Sequence, residues 1–218
     1  DCGYDINSVS NGWHHLAMSQ KQGTSGNMNF YIDGSQVCSI DNYGSTTDIR
    51  SVGNYFGDGQ EFGTIDQFKL FNRSLSQAEI IEKTQGLESN GAVLDMRFDS
   101  GGGDHVEDYS MEDNHGSLNP DEVSGPDRVD GLMGEALKFD GTDDYVSVPD
   151  SSSLDIGDGG LTVSAWAYLQ EDSNGNNWML FDKGTSQSGT YYLYSDGNSV
   201  RMTVKDGSSR YDASVDPS

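Results

Sequence analysis

Gly12-Trp13-His14-His15-Leu16-Ala17, then Phe30-Tyr31-Ile32-Asp33-Gly34, then Phe62-Gly63-Thr64-Ile65-Asp66-Gln67-Phe68-Lys69-Leu70-Phe71 decide the reading of this chain. Each run is short, apolar and aromatic, and turn residues bound it, which is how half-buried strands look in sequence. Asp33-Gly34 sits between two apolar runs and signals a hairpin, because both central positions of the favoured two-residue turn need positive φ. Similar runs cover residues 13–19, 28–32, 36–40, 63–71, 92–98, 136–139, 145–148, 161–169, 178–183, 191–194 and 200–204. Short strands with Gly, Asn, Asp and Ser at the joins predict an all-β, two-sheet antiparallel sandwich. One helix is expected over residues 76–84, where Ser76 and Glu79 make a capping box and Gly86 suits the exit.

The opening runs, continued by Asn72-Arg73-Ser74-Leu75-Ser76-Gln77-Ala78-Glu79-Ile80, resemble the closing half of a laminin G-like, concanavalin A-like lectin domain. The opening half of that family is resembled by later stretches: Leu94-Asp95-Met96-Arg97-Phe98-Asp99, Val106-Glu107-Asp108, Gly131-Leu132-Met133-Gly134-Glu135-Ala136-Leu137-Lys138-Phe139-Asp140-Gly141-Thr142-Asp143-Asp144-Tyr145-Val146 and Leu161-Thr162-Val163-Ser164-Ala165-Trp166. The resemblance implies a jelly-roll sandwich with one short helix, its halves in reversed order. Residues 1–86 form the closing half, 87–91 a short polar linker and 92–218 the opening half of the next domain, or of the same domain permuted.

Half a sandwich leaves an apolar sheet face and strand edges in water, so neither half is expected to be stable alone. Three arrangements repair this: a slice of a tandem array, a subunit completed head to tail by its neighbours, or a permuted chain closed on itself. The array and the head-to-tail filament are the preferred expectations, since stacked units need neighbours.

The 218 residues provide material for one sandwich or two half-domains, and 33% hydrophobic content is workable for an all-β chain. No apolar run is long enough for a membrane-spanning helix. The chain starts at Asp1 with no signal-peptide pattern, which reads as a mature or excised segment. Thirty-six acidic residues against twelve Lys plus Arg give a net charge of −24. That balance argues against nucleic acid as a partner, because phosphate binding needs concentrated Lys and Arg. It also disfavours a compact state by self-repulsion unless salt or bound cations screen it. Adaptation to high salt, calcium in the Asp-rich loops and an ordinary acidic surface are the competing explanations. Cys2 and Cys38 both belong to the closing half and suit one disulfide in an extracellular protein, with free buried thiols as the alternative. Asn72-Arg73-Ser74 is a glycosylation sequon.

Many members of the resembled class hold a structural calcium near one end of the sandwich. The resemblance points to Asp108, Asp140, Asp143 and Asp144 of the opening half with Asp66 of the closing half as its ligands. Hard oxygens from several loops meet calcium's need for six to eight donors; the alternative is an ordinary polar turn at residues 140–144. Trp178, Tyr192 and Tyr55 are candidates for stacking on sugar rings, whereas Trp13 and Trp166 read as core packing. His14 and His15 are adjacent on a predicted strand and point to opposite faces, so they do not chelate together; they read as structural. His105 and His115 lie in loops without a partner at familiar ligand spacing, and no zinc site is expected.

Catalysis is not expected. The alternating carboxylates Glu-x-Asp-x-x-Glu used by glycoside hydrolases of this sandwich are absent, as is a Gly-x-Ser-x-Gly elbow. The first functional expectation is a non-catalytic extracellular structural or adhesive repeat, assembled head to tail with copies of itself at the cell surface. The second is a carbohydrate- or glycoprotein-binding module of a larger secreted enzyme.

Overall fold

The computed structural model describes residues 9–21, 27–41, 49–53, 63–86, 91–99, 102–140, 142–155, 160–169, 177–185, 188–196, 200–206 and 209–214, the strands from residue 177 onward by their backbone alone. Sixteen strands and one helix follow one another among them. The strands are β1 (Gly12–Gln20), β2 (Asn27–Ile32), β3 (Ser35–Asp41), β4 (Ile49–Gly53), β5 (Thr64–Phe71), β6 (Leu94–Met96), β7 (His105–Val106), β8 (Gly116–Asn119), β9 (Asp127–Asp130), β10 (Glu135–Lys138), β11 (Tyr145–Ser147), β12 (Leu161–Leu169), β13 (Asn177–Thr185), β14 (Ser188–Asp196), β15 (Val200–Asp206) and β16 (Ser209–Ser214); helix α1 (Gln77–Thr84) follows β5.

They form two eight-stranded sheets. The first runs β3-β2-β1-β12-β5-β10-β9 with β6 added beside β5; the second runs β16-β15-β14-β13-β4-β11-β8-β7. The two halves of the sequence interleave in both. β1 pairs antiparallel with β12 from Gly12↔Leu169 to Gln20↔Leu161, and β12 pairs in turn with β5. In the second sheet β4 is held between β11 and β13. Strands of both halves thus pair with one another in each sheet, and among the described side chains they share one buried core.

Alternation along the strands explains the core. Leu16 and Met18 of β1 and Leu161, Val163, Ala165, Ala167 and Leu169 of β12 face inward, packing with Val52, Val106, Leu118 and Val146 of the other sheet. The opposite side of the first sheet carries Ala17, Tyr31 and Phe71, covered by Leu75 and by Ile80 of α1. Between them lies a buried hydroxyl network. The Leu75 N–H donates to Ser19 Oγ (3.1 Å) and Thr162 Oγ1 (2.8 Å), Ser19 Oγ donates to the Leu75 carbonyl (2.9 Å), and Thr162 Oγ1 lies 2.9 Å from the Arg73 carbonyl oxygen. Ser19 and Thr162 come from opposite halves, so this network also ties the two together.

The hairpin and the helix form as their residues dictate. Asp33 and Gly34 both adopt positive φ (49° and 77°) between β2 and β3. Ser76 caps α1 by accepting the Glu79 N–H, and the Glu79 carboxylate accepts the Ser76 N–H at 2.8 Å. Gln67, at φ 52°, bulges β5 so that Ile65 and Phe68 both reach the core.

The expected strand over 92–98 contracts to Leu94–Met96, with Phe98 at φ 63° beyond its end. β4, β7, β8, β9 and β16 were not expected; β8 (Gly-Ser-Leu-Asn) and β9 (Asp-Arg-Val-Asp) hold one apolar residue each, too few to show a period. Trp13 and Trp166 lie on the outer side of the first sheet instead of in its core, each half-buried, with Trp13 edge-on to Tyr168 and Trp166 edge-on to His15. The odd positions of β1 and the even positions of β12 share that outer face, which is why these rings meet each other.

Candidate functional site

β10 ends at Lys138, and Phe139 plugs the core beside Gly53, whose positive φ (99°) and missing Cβ make room for the ring. The chain then turns through three aspartates. Asp140 Oδ1 accepts the Thr142 N–H (2.8 Å), and the Asp140 N–H donates to Asp144 Oδ2 (2.8 Å). Carboxylate oxygens of Asp140, Asp143 and Asp144 lie within 4.8 Å of one another. Asp144 is buried, and its Oδ1 has no hydrogen-bond partner. Burial, with the charges of Asp140, Asp143 and Asp127 behind it, pushes the Asp144 carboxyl up to about 6 against the pull of the Asp140 N–H. Three clustered carboxylates, one of them with an unmet buried lone pair, are a donor set suited to a hard cation: they supply oxygens only, and a cation relieves their mutual repulsion.

The other two aspartates named with this trio lie apart from it. Asp108 is a loop staple: Oδ1 accepts the N–H groups of Asp95 (2.8 Å) and Ser110 (2.9 Å), and Oδ2 accepts the Ser110 hydroxyl (2.6 Å) and the Asn114 N–H (2.8 Å). Four donors fill the carboxylate's acceptor capacity. Asp66 is fully buried on β5, level with Trp166, and Oδ2 accepts the Met133 N–H (3.0 Å) while Oδ1 has no partner. Burial, opposed by the N–H groups of Met133 and Gln67, pushes Asp66 up to about 6. It faces the turn at the start of β10, whereas the trio follows the end of that strand.

Trp178 lies on β13 and Tyr192 on β14, with only their backbone described; Tyr55 lies outside the described residues. Cys38 is disulfide-bonded. Cys2, the chain's other cysteine, lies outside the described residues. Asn72 of the sequon is exposed after β5.

The histidine pairs part company. His14 is a structural linker, with Nδ1 2.7 Å from Asp33 Oδ2 and Nε2 2.7 Å from the Ser10 carbonyl. His15 lines a small outer cleft with Gln67, Lys69, Lys83, Ser164 and Trp166, and burial pushes it down to about 4, so it is neutral. His105 and His115, with no usable spacing in sequence, are brought together with Glu107, and oxygen and nitrogen atoms of the three lie within 4.8 Å of one another. The signal that would have found them is the β7–β8 hairpin, whose strands are too short to read from periodicity.

The profile of the concanavalin A-like lectin/glucanases superfamily matches residues 3–81 and 140–218. The chain belongs to that superfamily. The two matched blocks contain β1 to β5 and β11 to β16, whose pairing builds most of the sandwich. No curated protein and no solved structure matches the chain. Among the described residues no helix is long and apolar enough to cross a membrane.

Proposed function

We propose that this superfamily sandwich works outside the cell as a non-catalytic adhesive module, a complete unit made by one permuted chain and clamped by calcium at Asp140, Asp143 and Asp144. The interleaving of the two halves supports the closed unit: β1 is seated on β12 and β4 lies between β11 and β13, so among the described residues strands of both halves enclose one core. The orphaned Asp144 oxygen supports the calcium clamp. Carbohydrate or glycoprotein is the ligand class. The test is a glycan array probed with and without calcium, using the 218-residue chain and an Asp140→Asn/Asp143→Asn variant. Calcium-dependent retention of particular glycans, lost in the variant, is expected; no retention in either condition would remove the recognition role.

A second reading, head-to-tail assembly into a surface filament, draws on the same pairing. β1 and β12 come from different halves of the sequence, so identical contacts form if the closing half of one copy docks on the opening half of the next.

A further inference from the structure

We propose that His105, Glu107 and His115 form a second metal site, selective for a transition ion of the zinc type and separate from the aspartate trio. β7 and β8 pair with His105 opposite Ser117 and Val106 opposite Gly116. Val106 points into the core, so His105 and Glu107, two residues apart on an extended segment, share the outward face. One step beyond the ladder His115 meets Glu107. The hairpin thus converts three residues scattered over eleven positions into one cluster on the edge strand of the second sheet.

The separations fit a metal. His105 Nε2 donates a 2.9 Å hydrogen bond to Glu107 Oε2, a contact that a metal would replace by displacing the proton, and His115 Nδ1 lies 3.8 Å from Glu107 Oε1. Ligand atoms around a tetrahedral zinc with bonds of about 2.0–2.1 Å are about 3.4 Å apart, between those two values, so small side-chain rotations suffice. The rings are 5.1 Å apart and all three side chains are accessible, at 51%, 40% and 36% exposure for His105, Glu107 and His115. His115 is held in the right tautomer. Its Nδ1 accepts the Asp108 N–H (3.1 Å), so the ring proton sits on Nε2 and Nδ1, the nitrogen nearer Glu107, is unprotonated; a metal binding there takes over that lone pair from the Asp108 N–H.

Two imidazoles and one carboxylate leave a coordination position for water, a set that zinc takes readily and calcium does not. The chain's net charge of −24 raises the local concentration of any divalent cation. Arg128, which donates to the His105 carbonyl at 3.1 Å, is the cation that a bound metal must tolerate.

The site is tested by calorimetric titration of the EDTA-dialysed chain with zinc chloride in the presence of millimolar calcium, paired with amide and imidazole NMR spectra. One equivalent of zinc is expected to bind, with affinity reduced at least tenfold in His105→Ala and in His115→Ala and unchanged in Asp140→Asn. The His105 and His115 ring signals and the Asp108 amide, whose acceptor the metal takes, should shift together. The four histidines of the chain include the buried pair His14 and His15, whose rings should not move. Thermal unfolding of the apo variants controls for folding: His105→Ala, at an exposed position, is expected to match wild type, and His115→Ala, which also loses the acceptor of the Asp108 N–H, to melt lower but cooperatively. Zinc binding that survives both histidine substitutions, or that disappears with Asp140→Asn, would overturn the assignment, as would no heat and no shift with zinc in large molar excess over the chain.

Discussion

Asp66→Asn should stabilise the protein, and more so as the pH rises. In the folded chain burial holds the Asp66 carboxyl at about 6, against 3.8 when exposed. A raised acid favours the protonated form in the folded state, so folding takes up a proton between those values and stability falls as pH rises from about 4 to above 6. The difference of about two pKa units is worth about 3 kcal/mol at 1.36 kcal/mol per unit. Asparagine keeps an oxygen to accept the Met133 N–H and never ionises. The variant should therefore match wild type near pH 4 and exceed it by about 2–3 kcal/mol at pH 8, or about 4–12 °C in melting temperature for a chain of this size. Urea unfolding at half-unit pH steps in EDTA, read by circular dichroism, gives the difference curve directly. His15 works in the opposite sense: held at about 4 by burial, it contributes stability present above 6.5 and lost as pH falls toward 4. Being common to both proteins, it cancels in the difference. Parallel pH curves for the two proteins, or an Asp66→Asn chain less stable than wild type at pH 8, would refute the burial argument.

Four further outcomes follow from named contacts. Gly53→Ala places a methyl group into the Phe139 ring at a φ of 99°, so strain and overpacking together should cost about 2–5 kcal/mol in urea unfolding. Ser76→Ala removes the hydroxyl at the start of α1 and should cost about 1 kcal/mol, leaving the rest of the sandwich unchanged by NMR. Glu79, held down to about 2 first by the Ser76 N–H and then by the Ser76 hydroxyl and Arg73, contributes stability present above 4.5 and lost as pH falls toward 2; Glu79→Gln should flatten the acid limb of the unfolding curve. Calcium should raise the melting temperature of wild type and leave that of Asp144→Asn/Asp140→Asn unmoved, as differential scanning fluorimetry would report.

Much of the fold is legible because local physics and the long strands agree. Leu161–Leu169 alternates clearly enough for its limits to coincide with β12, Asp33-Gly34 can make little but the hairpin it makes, and Ser76 with Glu79 caps α1 as its spacing requires. The remainder is hidden because its decisive partners are remote. β7 and β8 are strands only because Leu118 and Val146 sit side by side in the core, and nothing within two to four residues announces that. The trio at 140–144 is readable since it is one turn, whereas the distance of Asp66 and the saturation of Asp108 depend on Met133, Asp95 and Asn114, up to 67 residues away. The His105–Glu107–His115 cluster stayed invisible for the same reason.

The closed sandwich depends on β1 pairing with β12 of the same chain. Isotope-filtered NOE spectra of a sample mixed from differently labelled copies, with the solution mass measured alongside, test this most directly. A 23.6 kDa particle whose contacts between residues 12–20 and 161–169 appear in the uniformly labelled sample and vanish in the mixed, filtered one is the predicted result. The same contacts surviving the filter, in particles of multiple mass, would mean that copies complete one another and that the closed single-chain sandwich is not the working unit.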